Sequence, residues 1–251
     1  MLALKLALVP SLICAITLAG RQWGPAVAGW LSGFPVIAGP ILFFVATEQG
    51  DAFAVTAAAG TLSGVPALLS FVITYAWATT RADWLASLAA GLLAYSAAAA
   101  LLYGFAPGLY TAGLLGLACV WVAPRLFPGV VAPSSAPALR YGEVLLRMLA
   151  GAGVVLALTH FAPVLGPRLS GLLGMFPMLG GVLAVFSHRH AGAQFAIHLL
   201  RGMALGLYAL VTFCFVLAAA LPWLHIGAAF TLALGSAALA QALTRYRTRS
   251  T

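Results

Sequence analysis

The sequence predicts an all-α integral membrane protein of about nine transmembrane helices built from two inverted-topology repeats, and three observations predict it. First, 63% of the 251 residues are hydrophobic, only 6% are charged and the mean hydropathy is +1.08; a soluble domain carries about 25% charged residues. Second, the apolar runs have span length, and at about 20 residues per helix they fill nearly the whole chain, leaving no room for a sizeable soluble domain. Third, the chain matches itself without a gap at an offset of 142 positions.

Hydropathy and turn residues place the spans near 2–20, 25–47, 52–79, 82–105, 107–124, 141–162, 167–187, 191–221 and 226–244. The first, MLALKLALVPSLICAITLAG, has the basic residue, apolar stretch and small residues of a signal peptide. Its place in the repeat argues that it is retained: Lys5 overlies Arg147 and Thr17 overlies Thr159. The second span carries LSGFPVIAGP and the seventh LLGMFPMLGG, each with a Phe-Pro pair near its middle. Proline removes a backbone donor and clashes with the preceding turn, so both spans should break there. The third and eighth carry Gly60/Gly64 and Gly202/Gly206 at GxxxG spacing, which lets helices approach closely. Packing within the protomer is the first reading of that spacing, and a homodimer contact is the second. The fifth span has no counterpart, and the linker FPGVVAPSSAPA follows it. The organisation is therefore a first unit of four spans over 1–106, an extra span and linker over 107–139, and a second four-span unit over 140–251.

At the offset, Gly24, Pro25, Gly29, Leu31, Phe34, Pro35 and Gly39 meet Gly166, Pro167, Gly171, Leu173, Phe176, Pro177 and Gly181. The match continues through Phe44 over Phe186, Gly50 over Gly192, Phe53 over Phe195 and Phe71 over Phe213. Ala and Leu match by chance in such a chain, but an ungapped run of Gly, Pro and Phe does not. With five spans between equivalent helices, the two units enter the membrane from opposite sides, the arrangement common among secondary transporters.

The net charge of +8 would suggest nucleic acid in a soluble protein. Here the basic residues fall singly between apolar runs, as topology signals do, and no nucleic-acid role is read from them. Arg21, Arg81, Arg125, Arg140, Arg147 and Arg189 fall at one set of span ends, with Glu48 and Asp51 at the other and Lys5 and Arg168 as the exceptions. That asymmetry predicts an outside N-terminus and a cytoplasmic C-terminus in a bacterial inner membrane, with the lipid bilayer as the protein's principal surroundings.

Cys14, Cys119 and Cys214 each stand alone in an apolar run, with no CxxC or His/Cys cluster at ligand spacing. They read as structural thiols. No phosphate-loop, dinucleotide, zinc-protease or nucleophile-elbow pattern is present, and four carboxylates leave little material for acid-base chemistry. No catalytic residue, metal site or cofactor is predicted.

Arg201 lies inside the eighth span, where a charge costs about 2.5–3.5 kcal/mol on insertion scales and is usually functional or paired. The four carboxylates all fall near predicted span ends, so an anionic ligand could supply its counter-charge. His198, three residues earlier, shares its face. The competing reading has Arg201 snorkelling to the interface. His188, Arg189 and His190 form a basic loop, SHRHAG, opposite the acidic TEQGDA of the first unit. His160 reads as an interfacial residue near the outer end of its span.

The first unit, through AG, FP and EQG in AGWLSGFPVIAGPILFFVATEQGDAFA, resembles the GlpM-like small bacterial inner-membrane proteins. The resemblance implies a tandem fusion of two such units and an inner-membrane role linked to metabolism or envelope polymers. It implies no particular chemistry, and the second unit departs from it with HRHAG in place of the acidic turn.

The repeat architecture predicts a secondary transporter or exporter of a small anionic metabolite or lipid-linked intermediate, working by alternating access. Its expected substrate site is Gly33, Phe34 and Pro35 facing Gly174, Phe176 and Pro177, with Arg201 and His198 neutralising charge. The alternative is a membrane accessory protein of an envelope-biosynthesis or respiratory enzyme, held by its GxxxG faces and transporting nothing.

Overall fold

In the computed structural model, residues 2–105, 107–129, 142–156 and 175–249 are described, and among them every regular element is helical. Helix α1 (Leu2–Trp23) turns at Gly24 into the eight-residue α2 (Pro25–Ser32), which begins with a proline at a position where the missing N–H is no loss. Residues 33–37 interrupt the helix, and α3 (Ala38–Gln49) resumes it. Helix α4 (Asp51–Ala78) follows after a single residue, Gly50. Helix α5 (Trp84–Phe105) is capped by Asp83, whose Oδ1 accepts from Ala86 N–H at 2.9 Å. Helix α6 (Leu109–Val122) ends in a 3-10 turn, Ala123–Arg125. Helix α7 covers 142–156, α8 is Met178–Ala191, α9 is Ala193–Ala220 and α10 is Ile226–Arg249.

Element boundaries recur at the 142-residue offset. Helices α4 and α9 are both 28 residues long and start at Asp51 and Ala193. The residue before each is a glycine in nearly the same left-handed conformation: Gly50 at φ 86°, ψ 168° and Gly192 at φ 87°, ψ 173°. A side chain would be strained at that φ, and a one-residue reversal between two helices leaves no other geometry. Asp83 and His225, again 142 apart, occupy the same capping position; His225 Nδ1 accepts from Ala228 N–H at 3.3 Å.

Four described helices are long and apolar enough to cross a membrane: Asp51–Ala78, Trp84–Phe105, Ala193–Ala220 and Ile226–Thr244 within α10. Leu109–Arg125 is a shorter apolar helix. The stretch 25–47, read as one span, is divided between α2 and α3. The basic loop expected at SHRHAG is not a loop: His188, Arg189 and His190 form the last turn of α8, and Gly192 alone makes the connection. Hydropathy falls at His188, but the turn is fixed two residues past the last histidine, where φ changes sign. The linker from residue 130 onward, His160 and the seventh span before Met175 lie outside the described residues.

Helix α9 is the axis of the fold. Ile197, Leu200, Leu207, Phe213 and Leu217 along it are at most 1% exposed, and α2, α4, α6, α8 and α10 all pack on it. Helix α5 lies outermost, with Leu93 and Leu101 71% and 78% exposed, and it touches the core through Ser87, Gly91 and Tyr95. Such faces suit lipid. In lipid, burying Leu gains little over leaving it exposed, so close packing and hydrogen bonds hold helices together. The tightest packing is between α2 and α9. A β-carbon on Gly29 would overlap the Leu199 carbonyl and one on Gly202 the Ala26 carbonyl, while Gly33 and Gly206 stand backbone to backbone. Gly202 and Gly206 are thus used within the chain. Gly64 faces Met175, whose Cβ lies 2.7 Å from where a β-carbon would stand, and nothing described lies within 4 Å of that point on Gly60.

Candidate functional site

Both Phe-Pro pairs make the same turn immediately before a helix. Val36 N–H donates to Phe34 O and Met178 N–H to Phe176 O, each at 2.7 Å, so Pro35 and Pro177 are the central residues of three-residue turns. Pro177 has φ −73° and ψ 52°, the inverse γ-turn, at the φ a proline ring imposes. Helical bonding then begins, with Gly39 N–H donating to Pro35 O at 2.8 Å and Gly181 N–H to Pro177 O at 2.7 Å. Pro35 and Pro177 are buried, Phe34 and Phe176 partly so. Phe176 meets Tyr95 edge to face at 5.5 Å, Gly33 is packed on Gly206, and Gly174 lies outside the described residues.

Helix α2 is tied to α10 at its far end. Trp30 Nε1 donates to Thr244 Oγ1 at 3.1 Å, and Gln241 Nε2 donates to Trp30 O at 2.7 Å. Arg201 is exposed on α9 and His198 partly buried. Neither lines the cavity described next, and neither do the residues of the two breaks.

That cavity, of about 40 Å³, lies between α1, α7 and α8, with Ala28 of α2 and Phe195 and Leu199 of α9 closing it. Helix α1 contributes Ile16, Thr17, Gly20 and Arg21; α7 contributes Glu143 and Arg147; α8 contributes Leu183, Ser187, His190 and Ala191. Spacing explains the α7 pair. Glu143 and Arg147 are four apart with the acid first, the better order on a helix, and Arg147 Nη2 donates to Glu143 Oε1. Unlike a surface pair, this one is buried, with side chains 9% and 13% exposed. Phe186 stands under it, its ring centroid 5.4 Å from the Arg147 guanidinium carbon. His190 stacks on the same Phe186 and lies 3.6 Å from Glu143 Oε1. Its Nδ1 is 2.9 Å from the Phe186 carbonyl; a carbonyl only accepts, so the proton is on Nδ1. Among the described residues, Arg147 Nε and Thr17 Oγ1 are buried without a hydrogen-bond partner.

A second group of buried polar atoms without a partner among the described residues is Tyr75 Oη, Ser87 Oγ and His188 Nδ1. The Tyr75 and His188 rings are 6.1 Å apart, edge to face. The residues 142 positions from these three are Leu217, Ala229 and Ala46, all apolar and buried. Ser187 likewise has an apolar residue, Val45, 142 positions away, whereas Arg147 and Thr17 have Lys5 and Thr159.

The sequence reading missed Thr17, Glu143, Arg147, Ser187 and His190 as neighbours. The usable signal was the i,i+4 Glu143/Arg147 pair; nothing in the sequence shows that α1 and α8 cover it. Among the described residues no three His, Cys, Asp or Glu side chains gather as metal ligands, and Cys14, Cys119 and Cys214 are free. No family model, curated protein or solved structure matches the chain.

Proposed function

We propose that the chain is a multi-pass bacterial inner-membrane transporter that moves a small anionic solute by alternating access between two inverted-topology repeats. The N-terminus is outside and the C-terminus cytoplasmic. One observation carries the reading: the same proline-centred three-residue turn occurs twice, 142 residues apart, each opening a helix that leads through a single glycine into a 28-residue helix. Paired, interrupted helices in corresponding positions of two halves are where such transporters bind substrate and hinge. A tandem fusion of GlpM-like units fits the same description. Arg201 and His198 on α9, and the cations Arg21 and Arg147 at the cavity, give an anion two places to meet positive charge.

The opposing reading, an accessory subunit that transports nothing, is favoured by the close packing of both breaks against α9 and Tyr95. Solvent access at the breaks separates the two. In a background lacking the native cysteines, Gly33→Cys and Gly174→Cys are treated with a membrane-impermeant thiol reagent from each side. Transport requires labelling that depends on side and on added solute; protection from both sides under all conditions leaves the accessory reading. A reporter fused after Thr251 that is active only outside would reverse the orientation.

A further inference from the structure

We propose that the cavity between α1, α7 and α8 binds the carboxylate of a small monocarboxylate whose short apolar tail occupies the rest of the space. The inference deepens the transport reading and rests on it for the anion being cargo; binding itself stands apart from it.

Charge comes first. The arginine and carboxylate groups lining the cavity are Arg21, Arg147 and Glu143, two cations against one acid. Arg147 and Thr17 are 7% and 6% exposed, and each leaves one polar atom unsatisfied, Nε and Oγ1, among the described residues. A guanidinium N–H can only donate, and a hydroxyl can donate or accept. A partner for both must therefore offer acceptor oxygens, and a buried donor left without one is costly. Arg147 already commits Nη2 to Glu143. That leaves Nε as the edge of the fork a second carboxylate would use. Arg21, exposed at the end of α1, adds a second cation to the lining.

Size and lining then narrow the class. A cavity of about 40 Å³ holds about three water-sized groups at roughly 10–15 Å³ each. Most of the remaining wall is hydrocarbon from Ile16, Ala28, Leu183, Phe195 and Leu199. A fully hydrated inorganic anion would lose its water against that wall without replacement. A dianion would reverse the net charge. The small volume favours a short tail, and a carboxylate with one or two carbons behind it matches the charge, the acceptors and the apolar wall together. Ordered water alone is the rival occupant, and it would make no distinction between added anions.

The test is thermal unfolding of the full chain in detergent, titrated with propionate, pyruvate or inorganic phosphate at constant ionic strength. The two monocarboxylates are expected to raise the unfolding midpoint saturably, as any ligand of the folded state must, and phosphate to leave it unchanged. Thr17→Val, which keeps shape and removes the hydroxyl, is expected to raise the half-saturating concentration about tenfold. The double variant Glu143→Gln with Arg147→Gln removes both charges at once and is expected to abolish the shift. No midpoint shift from either carboxylate, or a Thr17→Val protein that saturates at the wild-type concentration, overturns the site. Pyruvate uptake into proteoliposomes, measured against protein-free vesicles, separates the two readings. Thr17-dependent binding without uptake upholds the site and overturns transport; uptake unchanged by Thr17→Val upholds transport and overturns the site.

Discussion

Phe213 of α9 rests its ring tip on Gly39 of α3, its Cζ 3.8 Å from where a β-carbon on Gly39 would stand. The contact is returned 142 positions away, where Phe71 Cζ lies 3.7 Å from the same point on Gly181. Each ring belongs to one unit and each glycine to the other, and both rings are fully buried. The two contacts are equal to within 0.1 Å at the 142-residue offset. The rings touch the first turns of α3 and α8, just after Pro35 and Pro177.

Ordinary contact distance admits a methyl, so Gly39→Ala and Gly181→Ala are expected to change stability equally and by no more than about 1 kcal/mol. Gly206 has no such room, because its β-carbon would fall on the Trp30 carbonyl with Gly33 Cα 3.0 Å away. Gly206→Ala is expected to cost about 1–3 kcal/mol by forcing α2 off α9. Thermal midpoints of the three variants in detergent, with exposed Gly235→Ala as the helix-propensity control, decide the matter. Equal midpoints for Gly206→Ala and Gly39→Ala would mean that α2 is not seated there.

The link from α2 to α10 is expected to be cooperative. Trp30 donates to Thr244 while its carbonyl accepts from Gln241, so one residue of the half-helix is held on both its side chain and its backbone. Trp30→Phe combined with Thr244→Val should show a coupling energy of about 0.5–1.5 kcal/mol in a double-mutant cycle. Gln241→Leu should exceed either single change, because it strips a partly buried carbonyl of this donor. Purely additive losses would refute the link.

His188 gives the fold a pH limit. It sits in the last turn of α8, past the apolar stretch, where burial lowers its pKa from 6.5 and nearby Asp83 partly raises it again. A depressed histidine keeps its full contribution above the unfolded value. As pH falls below about 6.5 the unfolded chain takes up a proton that the folded chain refuses, so stability is lost downward from there. The wild-type melting midpoint should therefore drop between pH 6.5 and 5 more steeply than that of His188→Gln. Parallel curves would place His188 in solvent.

How far the sequence speaks depends on whether the controlling physics is local. The break at Phe34-Pro35 is legible, because a proline ring fixes φ and lacks the N–H wherever it stands. That the break closes as an inverse γ-turn against α9 is not, because the partner helix is more than 150 residues away. Gly202 and Gly206 announce close approach without naming α2. Arg201 is legible as a cation in an apolar run, but its exposure depends on how α9 is rotated by its neighbours. SHRHAG reads as a loop because polarity ends hydropathic spans, whereas helix ends are set by backbone angles such as that of Gly192.

Arg147 and Glu143 read in the sequence as ordinary span-end charges, and their burial carries the largest expected effect in the molecule. With side chains 9% and 13% exposed, each neutralises a charge that the surroundings would not otherwise tolerate. Removing one partner strands the other, so Glu143→Gln and Arg147→Gln are each expected to cost about 3–5 kcal/mol. Replacing both with apolar residues of similar volume, Glu143→Leu with Arg147→Met, leaves no buried charge and should recover most of that loss. Melting midpoints of the two singles and the double measure the effect directly. A pair exposed to solvent would instead show singles within about 1 kcal/mol of the wild type and no recovery in the double, and α1 and α8 would then not close over it.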